Sequence, residues 1–593
     1  MQPIHEKRWR LRAADPATVR DLAAQHSLDP LIARVLVNRG ITTVEAAGRF
    51  LSPSLADLPD PFLLPDMDRA VARLARARQA GETVCVYGDY DVDGITAVAL
   101  LIGFFRTAGI SCLYHIPRRL EDGYGLSADG LQAVAAQGAG VVVTVDCGIS
   151  AVAEAELAAD LGLDLIVTDH HTPGPSLPAA YAVINPLRSG SAFPCTVLAG
   201  VGVAFNLLIA LRSRLREEGA FAAGEEPDLR HYLDLVALGT IADIVPLLDA
   251  NRAMVRTGLK VLTAAARPGI AALKTVAGVD GDVSCGAVGF RLAPRLNAAG
   301  RLEDAAAGVE LLLTRDRAEA ARLAAELDAS NAERQALERE ILQDALHRIG
   351  ETPELKGRKS IVLASDDWHP GVIGIVASRV VDLYHRPTIL IALQEGSGRG
   401  SGRSIPGFHL YQALHACADH LLKFGGHRQA AGLSIAEETL AAFVERFDAV
   451  VSGELEDDEL VPDLWLDGEL LPADLDLALA ERLTALSPFG AGNPEPLFLV
   501  RNARIKERRV LKDAHLKLRL AVGECSCEAI GFSLATRELP ELVDCAVAMQ
   551  VNIWNGRRSL QLRIKDLRPA GTSLDGMGAP VGQAGNGGMH GAL

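Results

Sequence analysis

Cysteine is scarce: nine in 593 residues, an odd number, with no CxxC pair and one isolated CxC at Cys525 and Cys527. That usage argues against a disulfide framework and a thiolate zinc site, and favours reduced, mostly buried thiols in a cytoplasmic protein. Aromatic residues make up only 5%. No run approaches the ~18–20 apolar residues that span a bilayer, so no membrane association is expected. The opening MQPIHEKRWRLRAAD has no apolar core behind its charges and does not read as a secretory signal. The phosphate-loop pattern GxxxxGK[ST] is missing, so no ATP-driven motor is evident. No repeat of solenoid period is present. Net positive charge is lacking as well: 59 basic against 75 acidic residues give −16. This argues against a surface basic all over, as in the simplest nucleic-acid binders, but leaves room for a local basic groove.

What is present is ordinary for a globular chain: 49% hydrophobic and 23% charged residues. The length calls for roughly three to four domains. Residues 1–75 read as an N-terminal helical region broken by Pro-containing loops, without evident chemistry. From there to 315 the pattern is α/β. Val84–Tyr87 is a short buried strand, and Ile95–Ala108 has helical length and period. Val141–Val145 ends at Asp146, and Leu165–Val167 runs into Thr168-Asp169-His170-His171. Strands alternating with helices predict a parallel sheet covered on both faces. Residues 302–349 are helical in composition, and 316–350 reads as a connecting helix between two lobes. Residues 351–452 resume a smaller α/β pattern. The acidic GELEDDEL (Gly453–Leu460) marks a boundary. Residues 460–568 hold short alternating segments that predict a β-barrel. Residues 569–593 read as a disordered Gly-rich tail.

The chemistry gathers at strand ends. One strand delivers Asp89, Asp91 and Asp93 in GDYDVDG, the next Asp146 in TVDCG, and the third Asp169, His170 and His171 in TDHH. Asp243 follows an apolar helix in LGTIADIVP. In an open α/β sheet ligands bind beyond the carboxyl ends of the strands, so these groups are expected to share one crevice. Taken singly, a DxD turn is a helix cap and an HH pair is unremarkable. Together on one sheet they form a metal-binding set. Packed carboxylates repel unless cations intervene. Mixed Asp/His ligation suits Mn²⁺ or Mg²⁺. A carboxylate shared between two sites would hold two ions ~3.5–4 Å apart, the arrangement that activates water and steadies both oxygens in phosphoester cleavage.

GDYDVDG, VTVDCG, TDHH and GTIAD resemble the four motifs of the DHH phosphoesterase superfamily. WHPGVIGIVASR (Trp368–Arg379), GSGRGSGRSIPGF (Gly396–Phe408) and FGGHRQAAG (Phe424–Gly432) resemble its partner DHHA1 domain. APRLNAAGR (Ala293–Arg301) and LSPFGAGNPEPLF (Leu486–Phe498) are similar to the superfamily's bacterial single-strand-specific 5′→3′ DNA exonucleases. The resemblance runs from roughly residue 30 to 568. It implies an α/β fold: a parallel-sheet DHH domain (76–315), a long helix (316–350), a smaller α/β DHHA1 domain (351–452) and an OB-fold β-barrel (460–568).

The resemblance also implies roles. Asp91, Asp93, Asp146, His170 and Asp243 match metal ligands, with Asp89 and His171 beside them as ligands or orienting groups. The wider superfamily often places a His four residues before the first ligand; here that residue is Tyr87, a poor ligand for Mn²⁺ at neutral pH, and it receives no metal role. In the DHHA1-like region Gly425 and Gly426 before His427, Ser401 and Arg403 in SGRS, His369 and Arg379 suit phosphate binding, since glycines admit backbone N–H groups and guanidinium is a fork of donors. Arg295, Asn297 and Arg301 are candidates to line the cleft between lobes, and Arg119 to guard its entrance. An OB barrel binds single strands through a basic groove and stacking platforms. Arg501–Arg519, with eight basic and two acidic residues, supplies the charge. Phe532 and Trp554 are the aromatic candidates there, with core packing the expected fate of each.

The implied function is a two-metal, single-strand-specific 5′→3′ exonuclease that releases 5′-mononucleotides in DNA repair and recombination. Its implied partners are single-stranded DNA, a separate helicase and a single-strand-binding protein. Two other readings stay open at this point. A phosphodiesterase for short oligoribonucleotides or cyclic dinucleotides would not need the barrel or LSPFGAGNPEP. A catalytically silent replication scaffold should have lost ligands that are all present here.

Overall fold

The structure, a computed structural model, describes residues 6–118, 125–302, 305–535 and 539–578. The chain divides into two compact units. One runs from Ser54 to Leu455; the other joins the described residues up to Pro53 to the segment that begins at Glu456.

In the first unit, β1 (Thr83–Gly88), β2 (Cys112–His115), β3 (Ala139–Val145), β4 (Asp164–Thr168) and β5 (Ala182–Ile184) form a sheet in the order β2-β1-β3-β4-β5, every pair parallel. Alternate residues feed two separate apolar clusters: Val84, Val86, Val141, Val143 and Ile166 on one face, Cys85, Tyr87, Val142, Leu165 and Val167 on the other. Burial of both faces is why these strands read as continuous apolar runs. Parallel pairs need crossovers, so the carboxyl ends of β1, β3 and β4 all lie at one edge. The helix α1 (Val92–Thr107) follows β1 directly. Then come α2 (Gly200–Glu217), α3 (Leu233–Ala242) and α4 (Ala293–Leu302). All ten residues of α3 are buried. It is apolar nearly all round because it is packed on every side.

The helix α5 spans Arg317–Glu351, 35 residues, with Asp316 capping it through bonds from the backbone N–H groups of Ala318 and Glu319. A separate helix, Ala306–Leu313, precedes it, and the extended Thr314 breaks the two. The helical stretch from 302 is therefore not one rod. The buried side of α5 joins two cores. Ala320, Leu323, Ala324 and Leu327 belong to the core of the parallel sheet. Ile341, Ala345 and Ile349 belong to a second core with Val372, Val376 and Leu390.

That second core covers a mixed sheet of β6 (Ile361–Ser365), β7 (Thr388–Gln394), β8 (Ser397–Arg403), β9 (Lys423–Gly426) and β10 (Ala430–Ala436), in the order β9-β10-β8-β7-β6. Only β6 and β7 are parallel, joined through α6 (Ile373–Tyr384).

The other unit contains a closed five-stranded barrel. Its strands are β11 (Phe498–Leu511), β12 (His515–Val522), β13 (Cys525–Gly531), β14 (Leu542–Trp554) and β15 (Arg557–Pro569). They run β11-β12-β13-β15-β14, and β14 closes back on β11. Within residues 1–75, expected to be helical, Arg8–Arg12 forms a strand. It pairs in parallel with Asp463–Leu466 and with Met577–Gly578. Trp9 is the anchor: it is 1% exposed, its Nε1 donates to Asp566 at 2.8 Å, and its backbone N–H donates to Asp575 at 2.7 Å. Residues 569–578 are thus not a free tail as the glycine content suggested. Asp575 and the half-buried Leu574 hold them against Trp9. The remainder of that tail, 579–593, lies outside the described residues. Among the described residues no helix is long and apolar enough to cross a membrane. All nine cysteines are free thiols.

Candidate metal centre

Asp91 caps α1: its Oδ1 accepts from the backbone N–H of Asp93 at 2.8 Å and of Gly94 at 3.1 Å. The ordinary structural use of a DxD turn is thus real here. It occupies one oxygen of Asp91 and leaves the other for a ligand. Asp93, two residues on, reaches the start of α2, where its two oxygens accept from Gly200 N–H at 2.5 Å and Val201 N–H at 2.9 Å. Asp146 follows β3 at φ 61°, a left-handed turn that aims its side chain across the sheet edge. Asp243 ends α3.

These elements bring the donors together. His170 Nε2 stands 3.0 Å from Asp146 Oδ1, 3.7 Å from Asp243 Oδ2 and 4.0 Å from Asp93 Oδ2. Three overlapping sets each hold donor atoms within 4.8 Å of one another: Asp89, Asp91 and Asp146; Asp93, His170 and Asp243; Asp146, Asp169, His170 and His171. Asp146 and His170 are the members that link the sets. Two glycines make the approach possible. A Cβ on Gly200 would fall 2.6 Å from the Asp146 Cβ, and one on Gly239 would fall 2.8 Å from Asp93 Oδ1.

The electrostatics are those of a site built for cations. Burial, then the neighbouring Asp91, push Asp93 up to about 7. Burial and the surrounding carboxylates, Asp93 foremost, push Asp146 and Asp243 well above the usual carboxylate range. Asp169 is the exception. Burial alone would raise it, yet the charge and hydrogen bond of His171 hold it at about 2. Burial would lower His171 in turn, but Asp169 overrides it and holds the imidazole up at about 9. Asp169 Oδ1 accepts from His170 N–H, His171 N–H and His171 Nδ1 at 2.7, 3.1 and 2.7 Å, and its Oδ2 from Ile149 N–H at 2.9 Å. Sequence reading counted Asp169 in the metal-binding set without a separate role. Its Oδ1 holds the His171 ring and the backbone of both histidines, and its Oδ2 the backbone of Ile149. Tyr87 lies in the core, its ring 4.7 Å from that of His115, in keeping with no metal role.

The other candidates divide. Asn297 on α4 accepts from the Val92 N–H at 3.1 Å and so pins the first turn of α1 beside Asp91. It also lines a cavity of about 530 Å³ with Phe290, Arg334, Glu338, Arg379 and Arg403. Arg403 and Ser401 on β8 lie over the start of α6, where a Cβ on Gly374 would fall 2.8 Å from Ser401 Oγ and 3.0 Å from Arg403 Nη2. His427 follows β9, and burial together with the charge of nearby His171 lowers its pKa. The imidazole, one residue past the end of β9, is thus within electrostatic reach of His171. Gly426 takes φ 142°, where any Cβ would strike the Ala430 carbonyl. His369 accepts from Gly371 N–H through Nδ1 at 3.1 Å. Arg295 does not reach the cavity. Its guanidinium is spent on Asp328 and the carbonyls of Arg291 and Val276, tying α4 to α5. Arg301 lies on α4, and Arg119 lies outside the described residues.

Phe290 escaped the sequence reading. It is 81% exposed, in a five-residue π-turn (Val288–Leu292) whose ends, Val288 and Leu292, are fully buried. Anchors two residues to either side force the intervening ring outward, into the cavity. In the barrel the expectation of core packing fails. Phe532 is 53% exposed and Trp554 74%. The basic stretch is partly answered by acids: Arg501 by Glu469, Arg504 by Glu541, Lys517 by Glu528 and Arg519 by Glu507.

Comparison with known proteins agrees with this geometry. The DHH family N-terminal domain matches residues 83–240, the DHHA1 domain residues 357–453 and the RecJ OB domain residues 466–566. Those three parts on one chain define the class: a DHH–DHHA1 phosphoesterase with an OB barrel. The single-stranded-DNA-specific exonuclease RecJ of Dickeya dadantii is 42% identical, over 92% of this chain and 96% of that protein. Its counterpart in Bacillus subtilis is 38% identical, over 94% of this chain and 70% of that one. A solved structure of RecJ with Mn²⁺ from Thermus thermophilus superposes with a TM-score of 0.82 at 35% identity, over 95% of this chain and 80% of that one. A second structure from that organism contains Mg²⁺. This chain belongs to the RecJ family.

Proposed function

We infer that this chain is a metal-dependent exodeoxyribonuclease that degrades single-stranded DNA from the 5′ end and releases 5′-mononucleotides. The observation that carries the reading is the meeting of Asp146 and His170 at the junction of two donor sets. Asp89, Asp91 and Asp146 would hold one divalent ion, and Asp93, His170 and Asp243 the second. The donor chemistry fits Mn²⁺ or Mg²⁺: carboxylates and one imidazole, with no thiolate. The raised pKa values of Asp93, Asp146 and Asp243 fit too, because they record negative charge that lacks a counter-ion.

Bound there, two divalent ions lower the pKa of water and stabilise the attacking and leaving oxygens of an in-line displacement. The chain's own groups do the rest. Asp169 holds the His171 imidazole and the backbone of both histidines. Asn297 locks the turn that presents Asp91. Arg403, Ser401 and the backbone N–H groups at the start of α6 offer a phosphate site, as helix starts do. His427, just past Gly425 and Gly426 at the end of β9, adds a donor, with His369 and Arg379 also in the chain's second lobe. Phe290 offers a splayed-out base of a single strand a flat apolar partner. In the other unit, exposed Phe532 and Trp554 with the basic strands provide a holding platform for the strand.

With no phosphate-loop motif in the sequence, opening of a duplex falls to a separate helicase, and protected single strands come from a single-strand-binding protein. Free thiols at all nine cysteines fit a cytoplasmic setting, and repair and recombination are where such strands arise. The deciding experiment is digestion of end-labelled single- and double-stranded DNA with Mn²⁺. Mononucleotides released from the 5′ end of single strands alone are expected. Release from the 3′ end, or equal cutting of duplex, would overturn the reading.

A further inference from the structure

The buried stripe of α5 changes character along its length. Ala320, Leu323, Ala324 and Leu327 are apolar, as are Ile341, Ala345 and Ile349, yet the same stripe between them carries buried Asn331 and Arg334, with the half-buried Glu338 one turn further on. Three polar groups at i, i+3 and i+7 interrupt what would otherwise be a continuous apolar seam. They are bonded to one another. Arg334 Nη1 donates to Glu338 Oε2 at 2.7 Å, and Arg334 Nη2 to Asn331 Oδ1 at 3.0 Å. The second oxygen of Glu338 accepts from Arg379 Nε on α6 at 3.3 Å. The side chain of Glu338 is 13% exposed and that of Arg334 9%, whereas that of Arg379 is 56% exposed. All three line the cavity that also holds Phe290, Asn297 and Arg403.

An acid in a cavity meant for a polyanion is a puzzle on charge alone. We propose that Glu338 is a positioning residue: anchored by Arg334, it grips Arg379 by Nε so that the remaining guanidinium N–H groups face the cavity and bind a phosphate of the DNA strand. A free Arg side chain has many rotamers to lose; one held at Nε is already ordered. This inference rests on the reading of Arg379 as a phosphate ligand.

The two views of Glu338 predict opposite signs. If it acted only through its charge, Glu338→Gln would tighten DNA binding by removing repulsion. As a positioning residue it should weaken binding. The test is fluorescence anisotropy of a labelled single-stranded oligonucleotide on the full chain, with EDTA to prevent digestion, across a range of salt. Glu338→Gln is expected to weaken binding about fivefold, and to flatten the log–log salt slope by about 0.7, the value of one phosphate contact on a single strand. Arg379→Ala should do the same, and Glu338→Gln should add nothing to it. Because Glu338→Gln leaves Arg334 buried without its acid, Arg334→Met/Glu338→Gln serves as a second variant. Removing both charges spares the fold the orphaned one, and the same flattening is expected. Tighter or unchanged binding by the Glu338 variants would overturn the proposal while Arg379→Ala still weakens it. If Arg379→Ala binds like the parent, the phosphate role of Arg379 fails and the proposal with it.

Discussion

His170 Nε2 and Asp146 Oδ1 lie 3.0 Å apart, carried by the ends of two neighbouring parallel strands. The contact is close because each strand stops at the same level of the sheet edge, and because Asp146 turns back at positive φ. Asp146 is also common to two donor sets. Asp146→Ala should therefore lower cleavage of single strands by on the order of 10³-fold, the scale of losing a preorganised group at developing charge. Strand binding measured in EDTA should change little. Turnover near that of the parent protein would remove the basis for the two-ion reading.

Asp169 has its oxygens engaged by four N–H groups, three of them from His170 and His171. Asp169→Asn is expected to cost about 10–100-fold in metal affinity or activity, as loss of an orienting partner does. Calorimetric titration with Mn²⁺ checks this directly. Unchanged affinity would show that the histidines hold their places without it.

Gly239 and Gly200 leave room for carboxylates that a methyl group would occupy. Gly239→Ala should destabilise the protein by about 1–3 kcal/mol through overpacking. It should also weaken Mn²⁺ binding, since Asp93 must move. Thermal unfolding with and without Mn²⁺ separates the two effects: a drop in both, with a smaller Mn²⁺ stabilisation, is expected.

The pH dependence has a defined sign. Asp93 has a folded pKa of about 7 against an ordinary value of 3.8. The ion-free folded state therefore binds a proton through this window that the unfolded chain does not. This group's contribution falls as pH rises from 3.8 through about 7, then levels off. A divalent ion displaces that proton, so its affinity should climb over the same window. Mn²⁺ should raise the melting temperature more at about pH 8 than at about pH 5.5. Equal shifts would mean that Asp93 is not in competition with the ion.

Phe290 keeps an exposed ring at the cavity wall. Phe290→Ala should weaken single-strand binding roughly tenfold, while Phe290→Trp retains it, because stacking needs a flat face rather than a particular ring. An oligonucleotide with an abasic site at the stacked position should erase the difference between Phe290→Ala and the parent. If no position does so, the ring does not meet a base.

The strand Arg8–Arg12 lies between Asp463–Leu466 and Met577–Gly578. A truncation meant to test the barrel must therefore remove residues 1–53 together with 456–593. Cutting at the acidic boundary alone would leave Trp9 without its pocket. The remaining 54–455 unit should bind long strands more weakly and with a flatter salt slope. An unchanged slope would count against the barrel as a holding platform.

Much of this protein was legible in its sequence because the signals were local. Apolar runs of four or five residues ending in acids and histidines announce buried parallel strands with those groups at their tips, and β1, β3 and β4 bring them to one sheet edge. The long helix, the mixed second lobe and the barrel strands also announce themselves by period. What the sequence could not show were partners chosen across long separations. Nothing in APRLN says that Asn297 will fasten the turn at Val92, or that Arg295 will be spent on Asp328. Nothing around Trp9 says that Asp566 and Asp575 will receive it. Periodicity reports which face of an element is buried, but what covers that face depends on how the elements pack. The folded structure alone therefore decided which partners each acid's oxygens meet, and placed Glu338 and Phe290 at one cavity.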